Sequence, residues 1–378
     1  MRIVVVGAGV AGSSIAYHLA RKGAEVELVD RADAGQATAA GAGMLAPWLA
    51  PDPDPDEYRL ASAGAVYHQR LAQLLAEDGE GDVGYARVGA LAVHRDPDVL
   101  RRTRDLVRER AAEDPTLGRV GLLDPRETSA CFPALDPRLG AVHVESGARV
   151  DGRKLRDAMQ RAAVRHGARM RTGSAELRMS GSRVQGVDVH CEAVNADAVV
   201  VAGGAWSQTL IEPIAPRLPV HPERGQIVDL HLIGHDTSTW PVVHAIGSSH
   251  YLLAFPGARV VAGATREMRA GFDHRLTAGG VAEVLGRALE LAPGLADASL
   301  LDTRIGFRPH SPDGKPMLGA FSAVPGLFAA TGFGASGLTV APLAGRLVAE
   351  LVLEGKPDTG ETGVDLAAFD PLRPSLRG

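Results

Sequence analysis

MRIVVVGAGVAGSSIAYHLARKGAEVELVD, residues 1–30, is the stretch whose reading decides the fold. Arg2 to Val6 is a short apolar, β-branched run, and Gly7-Ala8-Gly9-Val10-Ala11-Gly12 follows at once. Helical spacing then takes over through Ile15 and Leu19, Gly23 stops it, and Glu25 to Val29 forms a second strand closed by Asp30. This is G-x-G-x-x-G between a strand and a helix, the context that gives the motif physical meaning. Gly7 permits the tight turn, Gly9 lets backbone approach a pyrophosphate, and Gly12 lets the helix pack on the strand. The helix N-terminus offers free N–H groups and a positive dipole end to phosphates, and Asp30 is placed to accept ribose hydroxyls. The stretch predicts dinucleotide binding and leaves NAD and FAD both open.

The rest of the chain has the composition of a soluble globular protein with more than one core. Its 378 residues are 45% hydrophobic and 22% charged, enough for two or three domains. Forty basic against 45 acidic residues give a net charge of −5, without like-charge blocks, so neither nucleic acid nor a membrane surface is an expected partner. The first strand begins at Arg2 and the only cysteines are Cys131 and Cys191. No secretory leader or disulfide framework is expected, and a cytoplasmic location follows. The uncharged run before Gly345 is broken by Pro325, Pro342 and several glycines, and reads as buried strand, loop and helix start, not a membrane span.

Outward from Asp30, residues 31–48 are small and suit backbone lying against a flat ligand. A helix over Tyr58 to Leu75, a strand over Tyr85 to His94 and a charged helix from Pro97 to about Glu113 follow. A helix from Gly152 through His166 leads to a hairpin at Gly181-Ser182. The buried run Ala198-Val-Val-Val-Ala202 then enters Gly203-Gly204, which places the chain back in the nucleotide-binding sheet. Strands over Gln226 to Leu232, His250 to Phe255 and Arg259 to Ala264, then a helix around Val281 to Leu289, mark a second visit to an inserted unit. A final return is expected near Arg304, ending in a helix from Pro342 to Gly355.

Several separated segments coincide with one family. They are Val4 to Gly12, Ala39 to Pro47 (AAGAGMLAP), Val199 to Ser207 (VVVAGGAWS), Val261 to Thr265 (VAGAT), Gly306 to Gly319 (GFRPHSPDGKPMLG) and Gly332 to Pro342 (GFGASGLTVAP). In this order and over nearly the whole length, the chain resembles the FAD-dependent amino-acid and amine oxidoreductases of the D-amino-acid oxidase type, and within them glycine oxidases. The resemblance implies an α/β chain, α+β overall: a Rossmann-like FAD-binding domain with an inserted mixed-sheet substrate domain. The expected division is residues 1–84, 142–215 and 303–364 for the FAD-binding domain, 85–141 and 216–302 for the substrate domain, and 365–378 for a C-terminal tail.

Carried over by position, the resemblance implies FAD contacts along the first turn at Gly7, Gly9, Val10, Ala11 and Gly12, and at the ribose from Asp30 and Arg31. It implies others at Ala37, Thr38, Ala42, Gly43 and Met44, at the backbone of Glu176, at Ala202 and Gly203, and at Phe333, Gly334, Ala335, Ser336, Gly337, Leu338 and Thr339. The loop opening the last helix is implied to set backbone N–H groups beside the flavin pyrimidine ring. Arg308 matches a substrate-carboxylate arginine and Tyr251 a substrate-site tyrosine; Trp48, Arg266, His244 and His250 are further pocket candidates. The sequence departs from glycine oxidases in having Ala335 where they carry a second arginine, and Arg266 where they carry methionine. No cysteine lies near Arg308, so noncovalent FAD is expected.

Oxidation of an amine by flavin needs orientation more than acid–base chemistry, which agrees with the lack of an acid–base pair or nucleophile triad. His231 and His235 flank Gly234 in strand and turn, so no metal site is expected. The expectation is FAD-dependent oxidation of a small amino acid or secondary amine to an imine, with O2 as acceptor and no catalytic group required beyond the flavin. A D-amino-acid dehydrogenase passing electrons to a quinone, and a dinucleotide-binding sensor without turnover, are the alternatives. A homo-oligomer is left open.

Overall fold

The computed structural model describes residues 1–212, 214, 218–360 and 362–376. The fingerprint strand Arg2–Val6 is central to a six-stranded sheet. In sheet order the strands are Met317–Ala320, Leu327–Thr331, Ala198–Val201, Arg2–Val6, Glu25–Asp30 and Arg169–Thr172. Only the first pair is antiparallel; elsewhere neighbours run parallel, with Val4 opposite both Val199 and Glu27.

Strand alternation assigns the two faces. Ile3, Val5 and Leu28 point to a core shared with helix Val10–Arg21, helix Gly152–Arg165 and the final helix, Gly337–Glu354. Val4, Val29, Val199 and Val201 point the other way, onto valines of a three-stranded antiparallel meander built from Ala175–Ser180, Arg183–Val189 and Glu192–Asn195. The sheet is thus covered on both sides, as parallel strands require. The stretch Gly334–Glu354 is long and apolar enough by composition to cross a membrane, yet much of it is buried in this core.

The second sheet has eight strands. Ser299–His310, His221–His231, Arg259–Gly263, Tyr251–Phe255, Val242–Ala245, Ala90–His94, Gly140–Val144 and Val120–Leu123 follow one another across it. All pairs are antiparallel except Val242–Ala245 with Ala90–His94. Residues 303–310 stand in this sheet, and the chain re-enters the first sheet at Met317. The expected boundary at 215/216 lies outside the described residues, as do residues 377 and 378 of the tail.

One expected strand is divided. Tyr85 to His94 is not continuous: Gly89 turns the chain at φ +80°, so Tyr85–Arg87 joins a small sheet with Ala148–Val150 and Met44–Leu45, and Ala90–His94 enters the large one. Hydrophobic alternation alone cannot register such a turn.

The small sheet is tied to the large one by Arg149, only 2% exposed. Its guanidinium donates to the carbonyls of Ser238 at 2.6 Å, Trp240 and Ala254, and lies over the Phe255 ring at 5.3 Å. Burial, reinforced by the nearby Arg259, pulls its pKa down to about 10, which leaves it charged at neutral pH. Arg304, on the large sheet, ties it instead to the short helix Ala37–Ala40, donating to the Ala39 carbonyl at 3.1 Å while pairing with Asp229. Arg149→Met should therefore cost about 2–4 kcal/mol of stability by stranding several buried carbonyls. A urea titration with a wild-type midpoint would show that those carbonyls find other donors.

Candidate active site

At the nucleotide end the fingerprint closes as the sequence requires. Gly7 has φ +106°, and a Cβ there would lie 2.3 Å from the Ala202 carbonyl oxygen; a Cβ on Gly12 would lie 1.7 Å from the Gly7 oxygen. Gly12 is therefore a packing residue and does not line the cleft. A Cβ on Gly9 would approach only Thr38 Oγ1, at 3.3 Å, so Gly9 keeps the wall of the cleft open. Thr38 accepts from the Val10 amide at 2.9 Å, which occupies one of the N–H groups expected to meet phosphate.

Asp30 is also more engaged than the sequence implies. It accepts from Ala8 N at 2.5 Å, Ala32 N at 2.6 Å and Gln36 Nε2 at 2.9 Å. A carboxylate has about four acceptor positions, so room for a ribose hydroxyl remains while the same side chain braces the turn. Arg31 beside it pairs with Asp33 at 2.6 Å.

From this end a cleft of about 1020 Å³ runs between the two large sheets. Ala11, Asp30, Arg31 and Glu176 line it at the fingerprint; Ala37, Thr38, Ala42, Gly43 and Met44 continue it, with Ala202 and Gly203. Phe333, Gly334, Ala335, Gly337, Leu338 and Thr339, where the final helix begins, complete the wall. Ser336 is the residue before that helix and stands outside the lining. The long trough, the Cβ-free wall at Gly9 and the helix N-termini of Val10–Arg21 and Gly337–Glu354 fit an extended dinucleotide.

Trp48 corrects the expectation. The turn Pro47–Leu49 directs it into the core, 2% exposed, where its indole N–H donates to Ser62 Oγ at 2.9 Å. It is not in the cleft lining, and neither is His250, whereas His244 is.

The substrate candidates converge on the large sheet. His244, Tyr251, Gly263 and Ile227 sit opposite one another on four adjacent strands. Gly263 leaves the space that the Tyr251 ring fills: a Cβ there would lie 2.5 Å from the Tyr251 hydroxyl. Gly225 does the same for Arg308, whose guanidinium carbon would lie 2.7 Å from a Gly225 Cβ. Two side chains thus lie over glycines of the same sheet and line the same cleft, with the Arg308 charge acting on the Tyr251 hydroxyl. Burial pushes the phenol pKa up against the opposing pull of Arg308, Arg304 and Arg266, so Tyr251 remains an O–H donor at neutral pH. Burial lowers the His244 pKa, which keeps that imidazole neutral.

Sequence reasoning missed the residue that holds Arg308. Glu223, 4% exposed, faces it directly across the strand pair, and Arg308 Nη1 donates to Glu223 Oε1 at 2.7 Å and to the Thr265 carbonyl at 3.1 Å. Both Nη1 hydrogens are used, leaving the Nε and Nη2 edge, which is the edge that can grip a carboxylate bidentately. Arg266, half exposed, donates to the same Glu223 oxygen at 3.3 Å. An acidic residue inside strand His221–His231 is the only signal that could have found this clamp.

Comparison with known proteins places the whole chain in one family. The model of the FAD dependent oxidoreductase (DAO) family matches residues 2–351. An uncharacterized oxidoreductase of Bacillus subtilis, YurR, is 43% identical over 97% of this chain and 98% of its own length. The crystal structure of iminodiacetate oxidase from Chelativorans sp. BNC1 superposes with a TM-score of 0.93 at 43% identity, covering 98% of this chain and 99% of that one. Glycine oxidase from Geobacillus kaustophilus gives a TM-score of 0.85 at 29% identity, covering 98% and 99%. With the fingerprint, the cleft and the two-sheet architecture accounted for together, the chain belongs to the family of FAD-dependent oxidoreductases.

Proposed function

We propose that the protein oxidises a small carboxylate-bearing amine, an amino acid or N-substituted glycine, to an imine that water converts to an oxo acid, with O2 reduced to H2O2 in the cytoplasm. The observation that carries this reading is that Arg308 and Tyr251 line the same cleft as the dinucleotide fingerprint. The Nε and Nη2 edge of Arg308 takes the substrate carboxylate, and the Tyr251 hydroxyl donates to it, fixing the substrate by one end. Noncovalent FAD, when bound, supplies the acceptor for a hydride from the substrate Cα. Gly7, Gly9, Val10, Ala11, Asp30 and Arg31 hold its nucleotide end, and the turn from Phe333 to Thr339 its ring end. Neutral His244 and the apolar side chain of Ile227 keep the reacting end dry and free of competing charge.

A secondary amine with two carboxylates is the first substrate to test. Its support is the whole-length likeness to iminodiacetate oxidase and the position of Arg266, whose guanidinium shares Glu223 with Arg308 and offers a second cation beside the first. Iminodiacetate, sarcosine, glycine and D-alanine should be compared by anaerobic flavin bleaching, then by peroxide release in air. Bleaching without peroxide would move the enzyme to the dehydrogenase reading, and no bleaching by any carboxylate amine would end the proposal.

Arg308→Ala should lower kcat/KM for the best substrate by about 10- to 150-fold with the flavin spectrum intact, the worth of a charge-assisted pair. Arg308→Lys should recover only part, since it keeps charge without the planar fork. Arg266→Ala should weaken kcat/KM for a dicarboxylate by roughly fivefold or less and leave monocarboxylates unchanged, because Arg266 is half exposed and solvent screens it. Equal losses for both substrate types would remove Arg266 from recognition of a second carboxylate.

A further inference from the structure

The final helix, Gly337–Glu354, contains Pro342. Proline has no N–H to give the carbonyl four residues back, so Leu338, in the first turn, loses its helical donor. A different residue fills the gap. His68 Nε2 lies 2.8 Å from the Leu338 carbonyl oxygen, from a helix, Pro55–Glu77, far away in sequence.

The chemistry fixes the state of that histidine. A carbonyl only accepts, so His68 carries its proton on Nε2 and leaves Nδ1 bare; Nδ1 is buried and has no partner among the described residues. Burial pushes the His68 pKa down to about 4, which keeps the ring neutral at working pH. Its plane is held by stacking on Tyr85, with centroids 5.9 Å apart and 13° between rings. Four residues earlier on the same helix face, Gly64 admits the Thr339 carbonyl; a Cβ there would lie 2.6 Å from that oxygen. One helix thus seats the first turn of another at two points, and Gly337, Leu338 and Thr339 of that turn line the cleft.

We propose that His68 is a positioning residue for bound FAD: it stands in for the donor that Pro342 lacks, and so fixes the helix turn whose free N–H groups and positive dipole end border the cofactor. The inference rests on the FAD family and the geometry of the final helix, and is independent of which amine is oxidised.

The test uses the holoenzyme and four proteins: wild type, His68→Leu, Pro342→Ala and the double variant. FAD release is followed on dilution by recovery of free-flavin fluorescence, with thermal unfolding in parallel. His68→Leu should release FAD about tenfold faster, the effect of one buried hydrogen bond. Pro342→Ala restores a backbone N–H, so the double variant should release FAD within about threefold of Pro342→Ala alone. His68→Gln, which keeps an amide donor, should remain within about threefold of wild type. A His68→Leu protein that unfolds at lower temperature but releases FAD at the wild-type rate overturns the proposal, because its role is then structural only. If His68→Leu does not fold, the double variant decides: release close to Pro342→Ala supports the proposal, and failure to fold or tenfold faster release than Pro342→Ala overturns it.

Discussion

The buried pair between Glu223 and Arg308 is the interaction on which the cationic end of the cleft depends. Arg308 and Arg266 both donate to one carboxylate oxygen, so without Glu223 the largely buried Arg308 guanidinium would stand beside the half-exposed Arg266 with no counter-charge between them. With it, the cluster carries one net positive charge, enough to attract a carboxylate and too little to force the arginines apart. The pair also joins the first two strands of the large sheet at directly opposed positions. A buried ion pair is a weak source of net stability, because desolvation offsets attraction. Its value here is directional: with both Nη1 hydrogens spent, Arg308 can present only one edge.

That edge is usable because the sheet beneath it has no side chains at two positions. Gly225 receives the guanidinium and Gly263 receives the phenol, on neighbouring registers of adjacent strands. Any larger residue at Gly263 would meet the Tyr251 hydroxyl, and one at Gly225 would displace Arg308 from Glu223. The geometry of the nucleotide end follows the same logic, with Gly12 packed on the Gly7 carbonyl. In both halves of the cleft the wall is backbone, and the functional groups lie on it.

How much of this the sequence discloses depends on the range of the interaction. The fingerprint was legible because strand, turn, helix and acid follow one another within thirty residues, and each is a local preference. Of the eight-stranded sheet only four strands were legible, around Ala90–His94, His221–His231, Tyr251–Phe255 and Arg259–Gly263; Val120–Leu123, Gly140–Val144, Val242–Ala245 and Ser299–His310 were not read, because the last, for one, rests on pairing with His221–His231. Trp48 misled for a related reason: a tryptophan beside a cofactor segment is a reasonable pocket candidate, and only the Pro47–Leu49 turn and the hydroxyl of Ser62 send it to the core. Glu223 lies 85 residues from Arg308 in sequence, and nothing local to either marks the other.

The final helix shows the same limit from the opposite side. Pro342 reads in sequence as a helix start, since proline is favoured in a first turn where its missing N–H costs nothing. The helix instead begins at Gly337, which makes Pro342 internal and leaves the Leu338 carbonyl needing a donor. Starting the helix five residues earlier carries its positive end, with the amides of its first turn, to the cleft where Gly337 and Leu338 stand. Ser14 Oγ also donates to the Pro342 carbonyl at 2.7 Å, so the proline's turn is held by one polar group from the fingerprint helix and one from helix Pro55–Glu77. The fingerprint helix at the front of the chain and the helix at its end are thereby joined through the residue that interrupts the second. The position of the ring end of the cleft is set by the nucleotide end as well as by its own turn.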